Sequence, residues 1–119
     1  MKKILIIEDN ESNRDLLSFL LVHSRFEVIT ARDGMEGVKT ALEEMPDLIL
    51  MDIQMPHLDG LKATREIRQH NRMKDTPIIA VTSYVMPGDR EKILAVGCNG
   101  YIGKPINTDT IVDEIKQYL

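Results

Sequence analysis

The chain has 119 residues and a formal net charge of −4, enough for one buried core and without the overall basic footprint of a nucleic-acid binder. Hydrophobic residues make up 43% and charged residues 29%, a globular mix that excludes a disordered tail. No apolar run approaches the roughly 20 residues needed to cross a bilayer, and Lys2 and Lys3 precede only the short run Ile4–Ile7, unlike a signal peptide. The single cysteine, Cys98, reads as a small apolar residue ahead of a strand in a reducing compartment. These features lead us to expect one cytoplasmic domain over 1–119, with no membrane contact and no direct nucleic-acid contact.

Ile4-Leu5-Ile6-Ile7 is a continuous apolar run ending in Glu8-Asp9, as expected of a strand buried on both faces of a parallel sheet. A helix follows, with Ser12 and Asp15 spaced as a capping box and Leu16, Leu17, Leu20 and Leu21 on one face. Phe26–Thr30 is a more polar run and is predicted to be an edge strand. Asp33 with Glu36 opens a second helix, whose buried face is read as Val38, Ala41, Leu42 and Met45 before Pro46 stops it. Leu48-Ile49-Leu50-Met51 is the third strand and ends in Asp52. Asp59 caps a third helix anchored by Leu61, Ala63 and Ile67. Ile78-Ile79-Ala80-Val81 is the fourth strand, leading into Thr82. Pro87 suits the first turn of a fourth helix that ends at Gly97. Tyr101-Ile102 forms a short fifth strand, and Ile111, Ile115 and Leu119 line a terminal helix.

Five β-α units predict an α/β fold of the doubly wound, flavodoxin-like kind, a (βα)5 sandwich. The two weak strands, second and fifth, belong at the edges, so the parallel sheet should run in the order 2-1-3-4-5. Ligands of such sheets collect beyond the carboxyl ends of the strands, where the strand order reverses. Here that point lies between the first and third strands. Glu8, Asp9 and Asp52 therefore converge, and like charges that close are costly unless a cation joins them. Mg²⁺, which prefers oxygen ligands, is the natural partner, with Mn²⁺ as a substitute. Thr82 and Lys104 reach the same rim from the fourth and fifth strands.

Singly, Asp9 is also a helix cap, Asp52 a loop acid, Thr82 an ordinary β-branched strand residue and Lys104 a solvated charge. Their convergence from four strands carries the functional reading. A carboxylate at Asp52 can act as nucleophile toward a phosphoryl group, with Lys104 and Thr82 stabilising the phosphoryl oxygens. Asp47 precedes its strand and belongs at the opposite edge of the sheet, while Asp59 is a cap.

Several separate stretches carry a family likeness: Ile6-Ile7-Glu8-Asp9-Asn10, Pro46 to Pro56 around Asp52, Asp59-Gly60, Ala80-Val81-Thr82-Ser83 and Tyr101-Ile102-Gly103-Lys104-Pro105. Together they resemble the receiver domain of two-component response regulators over essentially the whole chain. The Glu-Asp-Asn-x-x-Asn opening at Glu8, Asp9, Asn10 and Asn13 is similar to that of DivK-like single-domain receivers and of receivers attached to hybrid kinases, and a chemotaxis-type receiver is the other single-domain likeness. The resemblance implies that Asp52 takes phosphate from a phosphohistidine on a sensor histidine kinase or a histidine phosphotransfer protein. It implies metal contacts from Asp9, Asp52 and the backbone carbonyl of Gln54, with Glu8 acting largely through water. It further implies a switch in which Thr82 and Tyr101 move together and reshape the face of the fourth helix, fifth strand and fifth helix for a downstream protein. The peptide before Pro105 is typically cis in the family, Ser83 leaves room for the phosphoryl group, and Gln54 and Tyr84 stand where relatives tune phosphoryl lifetime. Glu8 departs from the aspartate found in many relatives.

The expected function is thus a stand-alone switch or phosphate relay, since the chain ends where its fifth helix ends. It would take part in its own phosphorylation and dephosphorylation without a separate turnover activity. A receiver excised from a longer hybrid kinase or regulator is the alternative. An aspartate-nucleophile phosphatase would want Asp-x-Asp on the first strand, whereas here the nucleophile ends the third strand and Gln54 stands two residues on. A flavin binder would want a phosphate-cradling loop where Glu8-Asp9-Asn10-Glu11 stands.

Overall fold

The computed structural model describes residues 1–55, 58–83 and 87–119, with the backbone alone at Pro87; Pro56 and Tyr84, singled out above, lie outside the described residues. Strands and helices alternate: β1 (Lys3–Ile7), α1 (Glu11–His23), β2 (Glu27–Ala31), α2 (Gly34–Glu44), β3 (Leu48–Asp52), α3 (Gly60–Arg68), a 3₁₀ turn at Asn71–Met73, β4 (Ile78–Thr82), α4 (Pro87–Ala95), β5 (Gly100–Gly103) and α5 (Ile111–Lys116). All strand pairings are parallel, and the order is β2-β1-β3-β4-β5, as the apolar runs and their polar edges predict.

Alternation along the strands sorts side chains into two layers. Leu5, Ile7, Ile49, Met51, Ile78 and Ala80 pack under α2, α3 and α4, where Ala41, Ala63, Ile67 and Ile93 meet them. Ile4, Ile6, Leu48, Leu50, Ile79, Val81 and Ile102 face α1 and α5 through Leu17, Leu21, Ile111 and Ile115. The three central strands are buried on both faces, which is why their sequences are apolar without a break. β2 is the polar edge and runs one residue later than the periodicity suggests, at Glu27–Ala31.

The helix ends differ from expectation in three places. Asn10, not Ser12, caps α1, its Oδ1 accepting from the Asn13 N–H at 2.9 Å. The chain leaves β1 so directly that the helix begins at Glu11, and Ser12 falls inside it. Met45 is exposed because it takes the left-handed conformation that ends α2 (φ 47°), which swings it off the helix face. Leu119 is exposed because α5 ends at Lys116, three residues short of it. The Asp33 and Asp59 caps form as expected, accepting from the N–H groups of Glu36 and Lys62. Cys98 is buried just before β5, within 3.8 Å of the Thr64 hydroxyl, and burial pushes its thiol pKa up. Among the described residues no helix is long and apolar enough to cross a membrane.

Candidate functional site

Glu8 continues the alternation of Ile4 and Ile6, and Asp52 that of Leu48 and Leu50. Both acids therefore extend the face that packs against α1 and α5, and both are only 2% exposed. Since β1 and β3 are hydrogen-bonded neighbours, the pleat that builds the core also delivers two carboxylates to one spot beyond it. Asp9, one residue past Glu8, is more open to solvent. One carboxylate oxygen from each of Glu8, Asp9 and Asp52 lies within 4.8 Å of the others.

Lys104, next in the alternation after Ile102, reaches across the cluster. Its Nζ lies 3.2 Å from Asp52 Oδ1 and 3.3 Å from Glu8 Oε1. The Lys104–Pro105 peptide is cis. Asp52 Oδ1 also accepts from the Gln54 backbone N–H at 3.1 Å. Glu8 Oε2 is buried without a hydrogen-bond partner among the described residues. An orphaned carboxylate oxygen is expensive to bury, so the site has a place for one more positive group.

The electrostatics follow from three acids sharing one lysine. Burial and then the neighbouring Glu8 carboxylate push the Asp52 pKa up to about 6, against smaller lowering contributions from Asp9 and the Gln54 N–H. Burial also raises Asp9, with Asp52 adding to the effect. For Lys104 burial acts downward, but the Asp52 and Glu8 carboxylates outweigh it and leave the pKa raised. Three carboxylates thus crowd one lysine, and their mutual repulsion and burial disfavour full ionisation. An all-oxygen donor set with one unmet carboxylate oxygen suits a hard cation such as Mg²⁺.

The backbone around the cluster is tightly held. A Cβ on Gly60 would run into the Asp52 carbonyl oxygen, so only glycine lets α3 begin this close to β3. The Gly60 N–H donates to the Ile53 carbonyl at 3.1 Å. Arg14 on α1 donates to the Glu8 carbonyl at 3.0 Å, a contact that sequence reading missed because an arginine in a polar helix turn looks like any solvated charge.

Thr82 is fully buried and stands in the alternation of Ile78 and Ala80, on the opposite face from Glu8 and Asp52. It lines a cleft of about 460 Å³ with Ile53, Gln54, Asp59 and Ile93. A second cleft of about 400 Å³ is lined by Asn13, Leu16, Ser83, Lys104, Pro105 and Ile106. Between the two, the Ser83 hydroxyl donates to Gln54 Oε1 at 2.8 Å. Tyr101 is half-buried on β5, with Arg90 Cζ of α4 5.7 Å from its ring centre. Asp47 is at the far edge of the sheet, accepting from the Lys3 N–H. Among the candidate residues, then, the fold brings Glu8, Asp9, Asp52 and Lys104 into one cluster, with Gln54 and Thr82 beside it and Tyr101 on the neighbouring surface.

Residues 4–116 match the model of the response regulator receiver domain family. The polar-differentiation response regulator DivK of Brucella anthropi is 43% identical over 118 residues, covering 99% of this chain and 96% of DivK. The chemotaxis protein CheY4 of Vibrio cholerae is similar in structure with a TM-score of 0.96 at 32% identity, covering 100% of this chain and 99% of its own. The receiver domain of sensor histidine kinase PA1611 from Pseudomonas aeruginosa, solved with a magnesium ion coordinated in its active site cleft, gives a TM-score of 0.90 at 36% identity, covering 98% of this chain and 96% of that one.

Proposed function

This chain belongs to the response regulator receiver domain family, the phosphoryl-accepting modules of two-component signalling, and on that footing we propose that Asp52 is its phosphorylation site. The observation that carries the assignment is the buried cluster of Glu8, Asp9 and Asp52 bridged by Lys104 at the point where strand order reverses. Asp9, Asp52 and the Gln54 backbone carbonyl would hold Mg²⁺ (or Mn²⁺), with Glu8 acting largely through water. A cation held by these residues would supply positive charge that offsets the repulsion between the Asp52 carboxylate and a phosphoryl group.

Asp52 attacks the phosphorus of a phosphohistidine on a sensor histidine kinase or histidine phosphotransfer protein. An O–P bond forms, the P–N bond breaks, and the imidazole nitrogen leaves with the electron pair and takes up a proton. Lys104 Nζ already lies beside Asp52 Oδ1 and needs little movement to pair with a phosphoryl oxygen. The Thr82 hydroxyl donates to another oxygen, and Tyr101 follows it. That motion changes the face of α4, β5 and α5 toward a downstream protein. In the relay form of the reading, the phosphoryl group instead leaves Asp52 for a histidine of a phosphotransfer protein, the O–P bond breaking as a P–N bond forms. We place the whole of 1–119 in this receiver, working in the cytoplasm, with no turnover activity beyond its own phosphorylation and dephosphorylation.

The test is intact-mass measurement after incubation with Mg²⁺ and a small acyl phosphate. The wild type is expected to gain one base-labile phosphoryl group, and Asp52→Asn none. Full labelling of Asp52→Asn sinks the assignment.

A further inference from the structure

The Ser83–Gln54 hydrogen bond joins side chains 29 residues apart. Ser83 is the first residue past β4 and Gln54 the second past β3, so the bond ties together two loops that leave adjacent strands at the site. One partner lines the cleft beside Lys104, the other the cleft beside Thr82. Ser83 is exposed and Gln54 half-buried, so both groups would find water if parted, and the core has no need of the bond. What the bond does tether is residue Gln54, whose backbone N–H donates to Asp52 Oδ1 and whose carbonyl, one peptide further on, is offered to a cation on the reading above. On the preceding side the Ile53 carbonyl accepts from the Gly60 N–H at 3.1 Å, and the Ile53 N–H reaches the Val81 carbonyl at 3.3 Å.

We propose that Ser83 is a positioning residue for the acidic pocket, its hydroxyl holding the Gln54 side chain so that the Gln54 N–H orients Asp52 and the Gln54 carbonyl meets a divalent cation. The proposal rests on Glu8, Asp9 and Asp52 forming a cation site. It concerns the unphosphorylated protein and needs no phosphodonor to test.

The experiment is a calorimetric Mg²⁺ titration of the full chain as wild type, Ser83→Ala, Gln54→Ala, the double variant and Ser83→Thr. The net worth of one hydrogen bond corresponds to about two- to tenfold in an equilibrium constant. Ser83→Ala and Gln54→Ala are each expected to weaken Mg²⁺ binding by about three- to tenfold. The double variant should be no weaker than either, because both changes remove the same bond. Ser83→Thr, which keeps the hydroxyl, should bind as the wild type does. Unchanged affinity in Ser83→Ala, additive losses in the double variant, or failure of Ser83→Thr to restore binding would each overturn the proposal.

Hydrogen exchange of the Gln54 amide in metal-free protein separates this idea from the one beneath it. Faster exchange in Ser83→Ala supports the tether, and equal exchange removes it. A wild type that binds no Mg²⁺ takes down the cation site itself, and with it the metal role given to Ser83.

Discussion

At the N-terminal edge of the sheet, charges are spread out and matched. Lys3 Nζ lies 3.5 Å from both Glu27 and Glu44, and the Lys3 N–H donates to Asp47 at 2.7 Å. Arg68, at the end of α3, donates to the Gly97 carbonyl at 3.0 Å, the Met73 carbonyl at 2.6 Å and Asn99 Oδ1 at 2.8 Å. The same Asn99 oxygen accepts from the Ile78 N–H at the start of β4. The carboxyl edge reverses this arrangement, with three acids, one lysine and a buried oxygen left over. One edge closes the fold with matched charges, while the other gathers negative charge in excess. Mutations at the two edges should therefore act in opposite directions.

The largest effect on stability is expected from Arg68→Ala. It leaves two partly buried acceptors, the Gly97 and Met73 carbonyls, unmet and should cost about 2–4 kcal/mol in urea denaturation. A loss below about 1 kcal/mol would remove Arg68 as the main fastener of that edge.

Asp52→Asn should do the reverse and stabilise the metal-free protein at pH 7 by about 1–3 kcal/mol. The sign follows from the raised pKa of about 6, since the folded state holds the Asp52 proton more tightly than the unfolded chain does. Stability contributed by this group is present at low pH and is lost as pH rises from the ordinary carboxylate range through about 6. The advantage of Asp52→Asn should accordingly shrink when the comparison is repeated near pH 4. Saturating Mg²⁺ at pH 7 should shrink it as well, because the ion stabilises only the wild-type pocket. An advantage that is flat with pH would mean that Asp52 is not strained in the folded state.

At the proposed cation site, protons and Mg²⁺ would compete for the same oxygens. Mg²⁺ affinity in the wild type should thus fall as pH drops below about 6, approaching about tenfold per pH unit. Calorimetric titrations at three pH values suffice to see this. The smallest effect belongs to an exposed pair away from both edges. Lys39 and Glu43 on α2 are 4.0 Å apart and well solvated, and Lys39→Ala should change stability by less than about 0.5 kcal/mol.

What sequence reading reached and what it missed divide along the same physical line. Apolar runs ending in acids located β1 and β3, and topology alone put Glu8, Asp9 and Asp52 together. Those conclusions need only strand periodicity and the rule about carboxyl ends. The exposure of Met45 and Leu119 depends on where a helix stops, and helical spacing does not record that. The Asn10 cap depends on how abruptly the chain leaves β1, which Asn10 and Ser12 would each accommodate. The Arg14 contact to the Glu8 carbonyl and the Ser83 contact to Gln54 are invisible in one dimension, because no pattern of residue types calls for them. Ser83 was legible as small; its partner was not.

The placement of Glu8 and Asp52 by strand parity has an evolutionary corollary. Inserting or deleting a single residue within β1 or β3 would turn every side chain beyond it to the other layer, repacking both buried faces and carrying the acid away. The loops past the rim carry no such bookkeeping and can change length while the carboxylates stay put. Divergence in such a molecule is channelled into its loops and outer helix faces, where new partners can be acquired without dismantling the chemistry.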